Sequence, residues 1–210
     1  YTALPYRVFG AAEIGDAFRL MQSAGHVGKI VVRPPVIEGR RVAREPLARF
    51  RPAAGVQLVV GGTGGFGFAT ACHLAEAGAT AVVVASRRGA VDAAAADRIA
   101  ELRADGVDFR VEAVDATDFA SVETLVARVN ATMGPIAGVW MTAMVLDDGL
   151  LAGLDAAQVR RVLAPKIAGA DNLDRATRGA PLAHFVLFSS ATTLVGNPGQ
   201  GAYVAANAWL

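Results

Sequence analysis

The chain is poor in cysteine: its 210 residues include one, Cys72. A single thiol excludes an internal disulfide framework and agrees with a reducing compartment. Histidine is also scarce, with three residues, and no Cys/His/Asp cluster has metal-ligand spacing, so no metal site is expected. Charge of one sign is lacking too. The formal net charge is +1 and no basic cluster is denser than RRVAR, which argues against a nucleic-acid footprint. The opening YTALPYRVFG lacks the charged-then-apolar pattern of a secretory leader. The uncharged run from Gly55 to Cys72 matches a short membrane span in length, but six glycines interrupt it. The expectation is a soluble, cytoplasmic protein with neither membrane nor nucleic acid as partner.

What is present is apolar and alternating. Hydrophobic residues make up 53% of the chain, enough for a large core. Pro34-Pro35 stops the apolar run KIVVR, and the Arg-rich EGRRVAREPLARFRP follows. Residues 36–54 therefore read as a linker. Before them, Ala11 to Ser23 has helical periodicity and KIVVR reads as a short strand. After them, apolar runs alternate with helical patterns: VQLVVG, then 66–77; TAVVVAS, then 91–104; DFRVEAV, then 118–131; IAGVWMT, then 156–177; AHFVLFS, then 201 onward. Strands alternating with helices predict an α/β fold, a doubly wound parallel sheet covered on both faces. The prediction is a Rossmann-type sheet with a helix–strand appendage at its N-terminal side.

A glycine cluster lies between the first strand of that series and its helix. Gly62, Gly64 and Gly67 form G-x-G-x-x-G, while Gly61, Gly65 and Gly67 form G-x-x-x-G-x-G. Such a loop turns tightly and lets backbone approach a pyrophosphate at the positive end of the next helix. Residues Gly61, Gly62, Thr63, Gly64, Gly65, Phe66 and Gly67 are thus candidate dinucleotide contacts. At the end of the second strand, an NAD site would place an acidic residue toward the ribose 2′-hydroxyl. Ser86-Arg87-Arg88 stands there instead. A serine hydroxyl and a guanidinium suit a 2′-phosphate, so Ser86 and Arg87 favour NADPH, although two arginines can also simply solvate a turn. Asp115, at the end of the third strand, is placed either to accept from an adenine amino group or to cap the next helix.

The final stretch SSATTLVGNPGQGAYVAAN carries Ser190, Tyr203 thirteen residues later and Asn207 four beyond that. An i, i+4 pair shares one helix face, and Ser190 ends a strand at the sheet edge where ligands bind. Lys166 lies on the preceding helix. A phenol titrating near pH ~10 is a poor shuttle at neutral pH unless nearby positive charge lowers its pKa. Singly, each of these residues reads as a solvated or capping group; the combined spacing favours a catalytic set. His73 and His184 read as packing or capping residues, and His26 and Lys29 receive no catalytic role.

VGGTGGFG, VVVASRRG, VLDDGLL, LAPKIAGADNL, HFVLFSS and GNPGQGAYVAANAWL together resemble the ketoreductase domain of modular polyketide synthases, a short-chain dehydrogenase/reductase, over residues 55–210. Lys166 upstream and Asn207 after Tyr203 match the order typical of the megasynthase branch. Val60 and Met141-Thr142-Ala143-Met144 depart from residues common in the family.

The resemblance implies NADPH-dependent reduction of a β-ketoacyl thioester. Tyr203 would be the proton donor, Ser190 the group polarising the keto oxygen, Lys166 the residue orienting the phenol and Asn207 the support of the proton relay. It implies an acyl carrier protein bearing a phosphopantetheine-tethered chain as partner, with other synthase domains beside it and a homodimer formed through the whole synthase. Asp147 and Asp148, within LDD, with Leu187 in place of a tryptophan, imply the B-type and a D-hydroxyl product. Residues 1–35 resemble the C-terminal tail of an enoylreductase, and 55–210 a ketoreductase subdomain incomplete at its C-terminal side. Two other readings are a fatty-acid-synthase-like β-ketoacyl reductase and a nucleotide-binding structural module without turnover.

Overall fold

The computed structural model describes residues 5–35 and 50–210. These fall in two compact units, divided between Ala48 and Arg49. The smaller contains β1 (Tyr6–Gly10), α1 (Ile14–Gln22) and β2 (Lys29–Arg33), with β1 and β2 paired in parallel. Strand β1 adds to the helix and strand expected from the sequence. Its five residues mix polar and apolar types and only Phe9 is buried, so periodicity is weak there.

The larger unit is a five-stranded parallel sheet in the order β5-β4-β3-β6-β7. Its elements are β3 (Val56–Val60), α2 (Gly65–Glu76), β4 (Ala81–Ser86), α3 (Ala93–Ala104), β5 (Asp108–Ala113), α4 (Phe119–Met133), β6 (Ile136–Met141), α5 (Ala156–Thr177), β7 (His184–Leu187), α6 (Thr192–Val195) and α7 (Gly201–Trp209). Successive β-branched residues favour extended backbone, and β3 and β6 are buried throughout because both faces of the sheet are covered. Val83, Leu58, Val139 and Met141 meet Val122, Leu125 and Leu173 of α4 and α5 on one face. Val59, Val82 and Val84 meet Leu74 of α2 and Ile99 and Leu102 of α3 on the other. Each fully buried aliphatic side chain contributes about 1.5–3 kcal/mol.

The run VQLVV hides one polar residue. Gln57 is fully buried; its Oε1 accepts from Trp140 Nε1 at 3.1 Å and its Nε2 donates to the Ala53 carbonyl at 2.9 Å. A Cβ at Gly138 would overlap that carboxamide, so β6 carries glycine there. Phe50 packs edge-on against Trp140, with ring centroids 5.8 Å apart, and also against His184. Residues 50–54 of the expected linker therefore pack with the larger unit, while residues 36–49 lie outside the described residues.

Chain order reverses at β3, which has β4 on one side and β6 on the other. The loops leaving β3 and β6 diverge there and open a crevice at the carboxyl end of the sheet.

Candidate functional site

A cavity of about 890 Å³ fills that crevice. Its floor is the glycine loop. Gly61 and Gly65 have φ of +86° and +52°, in the left-handed region that favours glycine. A Cβ on Gly61 would lie 2.5 Å from the Ala143 nitrogen, and one on Gly67 would overlap the Gly61 carbonyl and the Thr142 hydroxyl. The loop after β6 thus sits directly on the glycine loop. Thr142 fastens it, since both its N–H and its hydroxyl donate to the Val60 carbonyl, at 2.8 and 2.9 Å.

Gly64 is the N-cap of α2, and a Cβ on Gly64 or Gly65 would meet nothing. The helix's first turn carries no acidic residue, so its N–H groups and dipole face the cavity without a competing carboxylate. Of the expected loop contacts, Gly61, Gly64, Gly65, Phe66 and Gly67 line the cavity. Gly62 instead packs toward Val84 of the sheet, and Thr63 is not among the lining residues.

Ser86, Arg87 and Asp115 line the far end. Of the two roles open to Asp115, capping falls to another residue. Its Oδ1 accepts from the Thr117 N–H at 2.9 Å and the Thr117 hydroxyl at 2.7 Å, whereas the cap of α4 is Asp118. The two Thr117 bonds hold the Asp115 carboxyl below its ordinary pKa, and Arg87 adds to the effect.

At the other end stand Lys166, Tyr203, Met144 and Ser189. Lys166 is 3% exposed, and its Nζ donates to the Phe188 carbonyl. Burial pushes its pKa down from the ordinary lysine value. The Tyr203 hydroxyl meets Met144 Sδ at 3.8 Å. Asn207 is buried one turn further along α7, its Nδ2 bonded to the Tyr203 carbonyl, while its Oδ1 is buried without a partner among the described residues. Ser190 Oγ accepts from the N–H and hydroxyl of Thr192, at 3.2 and 2.9 Å, and the serine lining the cavity is its neighbour Ser189.

Asp147 and Asp148 occupy the loop between β6 and α5. Arg161 donates to Asp147 Oδ2 at 2.7 Å and Gln158 Nε2 to Asp147 Oδ1 at 3.0 Å. Neither aspartate is a lining residue, but Met144 and Val145 of the same loop, and Arg161, line the cavity. Leu187 does not. It packs against the core cluster between the sheet and α4/α5 and is not a lining residue.

Fold and cavity define an open, Rossmann-type α/β domain whose crevice is built for a dinucleotide. Comparison with known proteins narrows the class: the KR domain model matches residues 55–210, and the chain belongs to that family, the ketoreductase domains of polyketide synthases. It is 41% identical, over 99% of its length, to a phenolphthiocerol/phthiocerol polyketide synthase polypeptide of Mycobacterium tuberculosis. It is 37% identical, over 95% of its length, to the reducing polyketide synthase PKS1 of Cochliobolus heterostrophus. The chain spans 10% and 8% of those two proteins. Among solved structures, A-type ketoreductases from a modular polyketide synthase match with TM-score 0.72 and 39% identity, covering 78% of this chain and 35% of the other. The first ketoreductase of the tylosin synthase matches with TM-score 0.69 and 38% identity, covering 78% and 35%. No helix among the described residues is long and apolar enough to cross a membrane.

Proposed function

We infer that this domain reduces a β-ketoacyl thioester to the β-hydroxyacyl thioester with NADPH, inside a polyketide synthase that presents the chain on a carrier protein. One observation carries the reading: Tyr203 and Lys166 line the same cavity as the glycine loop and Arg87. The side-chain-free loop, the unneutralised start of α2 and the Ser86/Arg87 pair suit a phosphorylated dinucleotide, and no acidic residue takes the place of Ser86 or Arg87. When bound, NADPH supplies the hydride.

The protein's part is the proton and the geometry. As the carbonyl carbon gains hydride, its oxygen takes the proton of the Tyr203 hydroxyl, leaving a phenolate. The buried Lys166 ammonium, in the same cavity, favours that phenolate. Asn207 Oδ1, which has no partner among the described residues, is suited to accept from a water that returns the proton. Ser190 polarises the keto oxygen on this reading, which requires its hydroxyl to exchange Thr192 for substrate.

The B-type, D-hydroxyl outcome rests on the Asp147-Asp148 loop at the cavity mouth. Residues 5–35 read as the last strand–helix–strand of a preceding enoylreductase. A two-stranded parallel unit whose strand residues Tyr6, Val8, Val31 and Val32 are exposed is suited to extend a larger sheet.

The full-length polypeptide, with NADPH and a β-ketoacyl thioester, is expected to consume the nicotinamide absorbance and yield a D-β-hydroxyacyl product on chiral chromatography. No consumption would overturn the reductase in favour of a structural module; an L product would overturn the B-type alone. Consumption of NADPH with an α,β-unsaturated thioester, lost on deleting everything before residue 36, is the outcome expected of the enoylreductase reading. Its persistence after the deletion would refute that reading.

A further inference from the structure

Met144 is the only partner of the Tyr203 hydroxyl among the described residues, at 3.8 Å through its Sδ. Its backbone is pinned on both sides. Upstream, Thr142 is tied to the Val60 carbonyl and Ala143 rests on Gly61. Downstream, Asp147 is held by Arg161 and Gln158, and the Gly149 N–H donates to the Gly199 carbonyl at 2.8 Å. The loop therefore cannot withdraw Met144 as a body, while the side chain itself is 51% exposed and free to change rotamer. Thioether sulfur is a weak acceptor on a flexible stem. A carbonyl oxygen that takes the phenolic proton must displace it, and whatever flanks that carbonyl must then share space with the displaced side chain.

We propose that Met144 is a specificity-determining residue, which limits the bulk tolerated beside the reacting carbonyl and so selects against β-keto thioesters branched at the carbon between the two carbonyls. The proposal rests on the β-ketoacyl reading above. Met144 stands at the Tyr203 end of the cavity, away from Ser86 and Arg87, so the phosphate end of the cofactor site is outside its reach.

The test compares wild type, Met144→Ala and Met144→Leu in the full-length polypeptide, using diffusible β-keto thioesters with and without a methyl branch. Shortening the side chain is expected to raise the branched-to-unbranched ratio of kcat/KM about tenfold. Leucine, of similar volume but without sulfur, is expected to keep the wild-type ratio, and the NADPH dissociation constant to stay the same in all three. An unchanged ratio in Met144→Ala overturns the proposal, as does a ratio in Met144→Leu that follows the alanine variant. A weakened NADPH affinity that accounts for the change overturns it as well. Wild type without turnover on either thioester would instead overturn the reductase reading and this inference with it, so the two failures are distinguishable.

Discussion

Gln200 Nε2 donates to Asp148 Oδ2 at 2.9 Å, joining the loop after β6 to the residue that caps the Tyr203 helix. The bond spans 52 positions in sequence, and the backbone pair Gly149 N–H to Gly199 carbonyl runs beside it. On the proposed reading, substrate direction and phenol position are coupled through this side-chain contact and the backbone bond beside it. Asp148→Ala or Gln200→Ala is expected to lower the stereochemical purity of the product while leaving NADPH affinity unchanged. Chiral chromatography of the β-hydroxyacyl product checks it, and undiminished purity would show the contact to be incidental.

Tyr203→Phe keeps the ring and removes the proton. Ketoreduction is expected to fall by about 100-fold or more, with NADPH affinity nearly unchanged. Single-turnover rates together with a fluorescence titration of NADPH separate the two quantities. Turnover near the wild-type level would remove Tyr203 from the chemistry.

Arg87 meets the cavity at the end lined by Ser86 and Asp115. Losing a guanidinium–phosphate pair is expected to weaken NADPH by about tenfold or more, with little effect on NADH. Dissociation constants of Arg87→Ala for both nucleotides decide the matter. Equal losses would reduce Arg87 to a surface charge.

Lys166 gives a pH signature with a definite sign. Its pKa is depressed by burial, and the ammonium is the useful form, so activity is expected below the folded pKa and lost as pH rises through it. The alkaline limb of kcat/KM should therefore fall below the ordinary lysine value of about 10.4 and disappear in Lys166→Met. Stability runs the other way. The unfolded chain holds this proton more tightly, so the lysine's burial disfavours folding below the folded pKa, and that penalty fades as pH rises toward the unfolded value.

Gln57 carries a prediction of stability alone. Gln57→Ala leaves Trp140 Nε1 without its acceptor and opens a cavity, which is expected to cost about 2–4 kcal/mol in urea denaturation. An unchanged midpoint would mean that water replaces the carboxamide.

The sheet was legible because most of its strands are apolar runs, β5 alternates through Arg110 and Glu112, and helical stretches separate them. The glycine loop and the Ser86-Arg87 turn were legible because their chemistry is local. What escaped depended on parity and on tertiary contacts. Leu187 and Phe188 are adjacent, yet alternation sends Leu187 to the α4/α5 face of the sheet and Phe188 to the α2/α3 face, where it also lines the cavity. Ser189 and Ser190 divide the same way, one lining the cavity and the other bonded to Thr192. Gln57 passed as one letter of an apolar strand because its partner Trp140 lies 83 positions away. Met144 stood out only as a departure from the family, and its contact with Tyr203 forms once α7 packs against α5.

The contact of Gly61 with Ala143, and of Gly67 with Thr142, has a consequence for recombining such domains. The glycine loop and the segment after β6 share one steric boundary, with no room for a methyl group between them. A transplanted glycine loop arrives with a surface shaped to residues 142–144 of its source, and a transplanted 142–144 segment arrives with the reverse imprint. Exchange of either alone is expected to leave a clash or a gap at that boundary. The two stretches, 75 positions apart at Gly67 and Thr142, form a single cassette for anyone swapping parts between synthases.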